Sequence, residues 1–114
     1  MESANAVAIL AALAQPSRLA VFRLLVQAGP NGMPAGEIAE RLELASTTLS
    51  FHLKALSHGG LAQSRQDGRF LIYSANFDAM NALIAFLTEN CCMGSSCDVA
   101  GVACKPATTA RTRR

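Results

Sequence analysis

The sequence predicts a small, mainly α-helical domain that carries a single β-hairpin, and three observations predict it. The 114-residue chain is 51% hydrophobic but only 5% aromatic and has no Trp; alanine and leucine dominate instead, and both favour helix. Apolar residues recur at helical spacing from Asn5 onward and again after Asn76. Between these regions "LAQSRQ" and "RFLIYSA" flank Asp67-Gly68, and Asp-Gly between apolar-containing runs is a strong signal for a two-residue hairpin loop.

Each element follows from its residues. From Asn5 to Ala14 a first helix sets Val7, Leu10 and Ala14 on one face. Gln15-Pro16 ends it, because the residue before a proline leaves the α region, and Pro16 suits the first turn of a second helix. That helix lines up Leu19, Phe22, Leu25 and Val26 and stops at Gly29-Pro30. "AGPNGMP" is a turn cluster. A short helix over 35–42 turns Ile38, Ala39 and Leu42 inward and Glu37, Glu40 and Arg41 outward. The connector "ELA" leads to Ser46, a residue type suited to an N-cap. The helix over 46–58 gathers Leu49, Leu53 and Leu56 within about 60° at 100° per residue, with Ala45 preceding them on the same side. Its opposite face carries Thr47, Ser50, Phe51, Lys54 and His58, and Gly59-Gly60 ends it. After the hairpin a last helix starts near Asn76 or Asp78, either of which can cap. It runs Phe77, Met80, Ile84, Leu87 and Cys91 along one seam, with Leu83 and Phe86 widening the band.

At this length one domain is expected, with a core modest enough that oligomerisation would help it. No apolar stretch approaches the roughly 18–20 residues of a membrane span, so no membrane partner is expected. The first twenty residues include Glu2, Asn5, Gln15 and Arg18 with no basic start before an apolar run. A secretory signal is therefore not expected, and the chain is read as cytoplasmic, where thiols stay reduced. Residues 1–90 hold six Lys+Arg against seven Asp+Glu, a net of −1, and residues 91–114 hold four against one, a net of +3. The folded part is thus not a generic polyanion binder, and any nucleic-acid binding must rest on local patches and dimer geometry.

Helix, helix, short helix, tight turn, helix, hairpin, helix is the layout of a winged helix-turn-helix. In that geometry the second helix of the motif enters the DNA major groove. Thr47, Thr48, Ser50, Phe51, His52 and Lys54 then become candidates for DNA contact. Phe51 is a large apolar group on a polar face, suited to something such as a thymine methyl, and Lys54 could reach phosphate. Arg65 and Arg69 flank the hairpin turn and could grip backbone or minor groove.

"TTLSFHLKALSHGGLAQSRQDGRFLIY" resembles the recognition helix and wing of the ArsR/SmtB family of metal-sensing bacterial repressors, and "LAQPSRLAVFRLL" resembles that family's second helix. The likeness covers roughly residues 5–92, with Arg65, Gly68, Arg69 and Tyr73 in the wing pattern. It implies a homodimer joined through the first and last helices, which binds double-stranded operator DNA and releases it when a thiophilic ion binds. Residues 1–92 would form this domain and 93–114 a flexible tail with sensor cysteines.

Family members place sensor sites differently. Residues 35–50 contain no Cys, and 77–90 offer only Asp78 and Glu89 as ligands. What remains is Cys91, Cys92 and Cys97 in "ENCCMGSSC", which is similar to the arsenic-responsive subset with an adjacent cysteine pair and a third cysteine after the last helix. Soft thiolates select soft ions, and As(III) as inducer takes three sulfurs and keeps a lone pair on its fourth side. Adjacent cysteines in a regular helix point about 100° apart, so they share an ion only where the helix end frays; "MGSS" then lets Cys97 fold back at little entropic cost. A methylated arsenical needs only Cys91 and Cys92, and antimonite is a further candidate. Two alternatives use the same region: a zinc or cadmium site of four thiolates that adds Cys104, and thiol-redox sensing. An enzyme is not expected. A catalytic cysteine would sit beside a helix N-terminus or basic groups, whereas this pair follows a helix C-terminus. A protein-interaction module that dimerises without touching DNA is the other rival, kept open by the weak basicity of residues 1–90.

Overall fold

The computed structural model describes residues 1–91. The expected tail over 93–114, and with it Cys92, Cys97 and Cys104, lies outside the described residues. Five helices and a small sheet follow one another as α1 (Ser3–Leu13), α2 (Pro16–Ala28), β1 (Met33–Pro34), α3 (Ala35–Leu42), α4 (Ser46–His58), β2 (Ala62–Asp67), β3 (Phe70–Ala75) and α5 (Phe77–Leu87). This is the winged helix-turn-helix that the order of sequence patterns predicts.

The core is built where the helices present their stripes. Val21, Phe22 and Leu25 of α2, Ile38 of α3, and Leu49, Leu53 and Leu56 of α4 are all buried, joined by Ala6 and Ile9 of α1 and Leu83 of α5. At roughly 1.5–3 kcal/mol for each fully buried large side chain, the three leucines of α4 fix that helix firmly against α2 and α3. Leu19, expected on the α2 stripe, is exposed instead. On α1 the face of Val7 and Leu10 is the outer one, with Val7 64% exposed, and the core takes Ala6 and Ile9 from the other side. This helix is apolar all round, so spacing alone does not choose its inner face.

Caps and turns set the boundaries. The Gln15 side chain accepts a hydrogen bond from the Arg18 backbone N–H (2.8 Å), with Pro16 in the first turn of α2. Asn76, not Asp78, caps α5: its Oδ1 accepts from the Ala79 N–H. Ser46 is not a cap. It is the first helical residue of α4, and Ala45, extended and exposed, holds the cap position without a side-chain bond. The turn between α3 and α4 passes through Glu43 in the left-handed region (φ 54°), where its N–H and that of Leu44 satisfy carbonyls of Glu40 and Ala39.

The hairpin is shifted by one residue from its expected position. Asp67 pairs with Phe70, so the two-residue loop is Gly68–Arg69 and not Asp67-Gly68. Gly68 has φ 64° while Arg69 does not, and a turn with positive φ at its first central position calls for glycine there. Part of the "AGPNGMP" turn cluster is also strand. Met33 pairs with Tyr73 and Pro34 with Ile72, which makes β1 the outer strand of a three-stranded antiparallel sheet in the order β1-β3-β2. Pro34 is tolerated because it lies on an edge. Gly32 makes the approach possible: at φ 77° its Cα lies so close to β3 that a Cβ would run into the Tyr73 carbonyl oxygen.

The last helix is shorter than its sequence seam. It ends at Leu87, where the Thr88 hydroxyl donates back to the Ile84 carbonyl (2.8 Å), and Asn90 adopts φ 59°. Cys91 therefore stands on a turn beyond the helix, half-buried, with its N–H donating to the Thr88 carbonyl.

Gly32→Ala should destabilise the fold by about 2–3 kcal/mol, combining left-handed strain with the clash at Tyr73. Gly36→Ala, inside α3 with open space around it, should stabilise it by about 0.5–1 kcal/mol. Urea unfolding of the two variants checks both signs.

Candidate nucleic-acid interface

The side of α4 opposite its buried leucines carries the residues that the helical spacing singled out. Thr47, Ser50, Phe51 and Lys54 are exposed there and together line an open depression of about 220 Å³. Their spacing of three, one and three residues places them along a single stripe. Phe51 is 73% exposed, the most solvent-accessible large apolar side chain among the described residues. Four of the sequence-predicted residues thus come together.

The other predicted residues fall around them. Thr48 is exposed on the flank of the helix. His52 stands about 60° round from Leu49 at 100° per residue and is only half-exposed; its Nδ1 is buried and has no hydrogen-bond partner among the described residues. Arg69 is exposed in the hairpin loop itself. Arg65 is held. Its Nη2 donates to the Asn31 carbonyl (2.8 Å), so its side chain ties β2 to the loop before β1. Because Arg65, Ile72 and Pro34 share one row across the sheet, this bond spans all three strands. Nothing in the spacing of Arg65 and Asn31 signals that contact.

Sequence also gave no sign of how α4 and α5 are joined. The Asn76 side chain donates from Nδ2 to the Gly60 carbonyl (2.9 Å) while its backbone N–H donates to the Leu61 carbonyl (2.8 Å). One residue therefore caps α5 and grips the chain just past the end of α4. Among the described residues no group of three or more His, Cys, Asp or Glu side chains is placed to hold a metal ion, and no single helix is long and apolar enough to cross a membrane.

A short helix, a tight turn and a second helix with a buried leucine side and an exposed polar side, followed by a hairpin wing, define a winged helix-turn-helix of the DNA-binding class. A helix-turn-helix domain model matches residues 13–65. The HTH-type transcriptional regulator YgaV of Escherichia coli is 34% identical over 77% of this chain and 87% of its own length. The transcriptional activator HlyU of Vibrio cholerae is 32% identical over 82% and 83%. Among solved structures, an ArsR-like transcriptional regulator from Rhodococcus is 28% identical with a TM-score of 0.66, covering 74% of this chain and 76% of that one. A homodimeric winged helix-turn-helix DNA-binding domain from Mycobacterium bovis, a possible ArsR-family regulator, is 26% identical with a TM-score of 0.61 over 82% and 86%. A structure described as a possible transcriptional regulator for arsenical resistance is 27% identical with a TM-score of 0.60 over 68% and 78%. The chain belongs to the ArsR family of winged helix-turn-helix transcriptional regulators.

The two wing arginines should separate in a salt series. Arg69→Ala should lower the slope of log affinity for DNA against log salt by about one per protomer, as loss of a phosphate contact does. Arg65→Ala should weaken binding by loosening the wing while changing that slope by less than half as much. Equal slope changes would show that Arg65 contacts phosphate despite its bond to Asn31.

Proposed function

We propose that the chain is a homodimeric transcriptional repressor that binds operator DNA through α4 and the wing. Trivalent arsenic bound by the thiolates of Cys91, Cys92 and Cys97 then releases it. The observation that carries the DNA-binding part is the stripe of Thr47, Ser50, Phe51 and Lys54, exposed on a helix whose other side is locked into the core. The fold supports the assembly: α1 and α5 pack together yet leave Val7, Leu10 and Leu87 exposed, the last at 58%, an apolar surface that a second copy would cover. The homodimeric neighbour supports a two-copy assembly.

The arsenic reading rests on thiol count and on where Cys91 stands. Arsenous acid reacts with three thiols: each As–OH bond breaks as an As–S bond forms, the thiol proton leaves with the hydroxyl, and three waters are released, so the three cysteines must converge on one ion. Cys91 lies past the last helical residue of α5, after a left-handed Asn90, so the geometry of α5 does not fix where it stands. The neighbour described for arsenical resistance favours the same ligand. At its other end α5 is bonded to the segment after α4 through Asn76, so a pull on the thiol end bears on the recognition helix about 16 Å away along the helix axis. A coupling of about 3 kcal/mol would weaken operator binding on the order of 150-fold.

Fluorescence anisotropy of a labelled palindromic operator with the reduced full chain, titrated with arsenite, methylarsenite, antimonite, zinc and cadmium, tests this directly. Arsenite should release the DNA from the wild type but not from Cys91→Ser, Cys92→Ser or Cys97→Ser. Release by zinc or cadmium alone, dependent on Cys104, would instead identify a four-thiolate site, and release by an oxidant alone would identify a redox sensor.

A further inference from the structure

We infer that Phe51 reads the C5-methyl group of a thymine in each operator half-site. This deepens the repressor reading and rests on it. The phenyl ring stands near the middle of the exposed stripe, with Thr47 one turn before it and Lys54 most of a turn after it, and the depression these residues line is mainly apolar. A ring this exposed in the free protein gains most from a partner that is itself apolar. In the major groove every base presents hydrogen-bonding atoms, and thymine alone adds an apolar group, the methyl at C5. Pressing the ring on a guanine O6 or N7, or on an adenine or cytosine amino group, would bury a polar atom with no partner, which is costly.

The neighbours suit that assignment. Thr47 and Ser50 carry hydroxyls that both donate and accept, so they can bond to the polar edges beside the methyl without clashing with either base pair orientation. Lys54, one step further along the stripe, has only donors and suits the phosphate that fixes the helix in register. The stripe then divides its work: Lys54 positions, the hydroxyls adapt, and Phe51 selects.

The test is methyl deletion within the DNA. The full chain is used to select binding duplexes from a randomised library, and each thymine of the recovered half-site is replaced in turn by deoxyuridine, which keeps every hydrogen-bonding group and removes only the methyl. At one position per half-site the replacement should weaken wild-type binding about fourfold, the effect of no longer burying one methyl. Phe51→Ala should bind more weakly but be indifferent to deoxyuridine at that position, Phe51→Leu should keep part of the discrimination, and both should melt like the wild type because the ring lies outside the core. A selected duplex whose binding is insensitive to deoxyuridine everywhere, or equally sensitive in Phe51→Ala, would overturn the inference and leave the repressor reading intact. Failure to select any sequence would overturn both.

Discussion

The burial of Leu49, Leu53 and Leu56 along one side of α4 is the constraint on which the rest of the molecule depends. A helix that is to enter a groove must present its outer side at a fixed angle, and a 13-residue helix has little stability of its own. Here the angle is set by packing. Three leucines within a sector of about 60° at 100° per residue leave the helix only one way to rotate, and that choice turns Thr47, Ser50, Phe51 and Lys54 outward together. The outward side is therefore a consequence of the inward one. The core can be rigid while the outward residues remain free of structural duty, which allows a ring as exposed as Phe51 to persist there without cost to folding.

The two ends of α4 are secured differently. Its start has no side-chain cap, and the preceding turn carries a non-glycine residue in the left-handed region at Glu43, an arrangement that costs on the order of 1 kcal/mol or more. Its end is bonded: Gly59 and Gly60 close it, and Asn76 reaches across from the start of α5 to the Gly60 and Leu61 carbonyls. The polar connection between recognition helix and last helix is thus concentrated at one side chain and one backbone N–H. On the proposed reading, that joint is the path by which a displacement of α5 would reach α4.

Much of this was legible in the sequence because strong period and strong punctuation coincide. The helices over 16–28, 35–42 and 46–58 are bounded by Gly, Pro or a tight connector and have a single apolar side, and they form within a residue or two of where spacing puts them. Legibility fails where one of those conditions is missing. The helix α1 is apolar on every side, so its inner face is decided by what it meets. The seam of α5 continues past Leu87 in pattern, but Thr88 turns its hydroxyl back on the helix and Asn90 takes a left-handed conformation, so Cys91 leaves the helix although its spacing says otherwise. The hairpin loop slipped by one because Asp-Gly and Gly-Arg both supply a glycine and only strand pairing decides which residue precedes it. The strand β1 and the bond from Arg65 to Asn31 join residues more than thirty apart, and no local signal encodes that meeting. Of the candidate site, the α4 stripe was readable from helical spacing alone, whereas the distinction between a held Arg65 and an exposed Arg69 was not.

The modest charge of the folded part bears on how such a regulator can be switched. Phosphate attraction supplies affinity that is indifferent to sequence and scales with the number of contacts made. A domain with a large positive surplus would keep its hold on DNA after a ligand had disturbed the spacing of its recognition helices, because non-specific contacts do not depend on that spacing. With residues 1–90 at a net of −1, the proposed dimer would draw its affinity from contacts that require both α4 stripes and both wings to be in register at once. A coupling of about 3 kcal/mol is small beside the roughly 4–10 kcal/mol that separates specific from non-specific binding. It is nevertheless enough to clear an operator when little non-specific affinity remains beneath it. Weak basicity, which taken alone argues against a DNA-binding role, would under the proposed function be a condition for release.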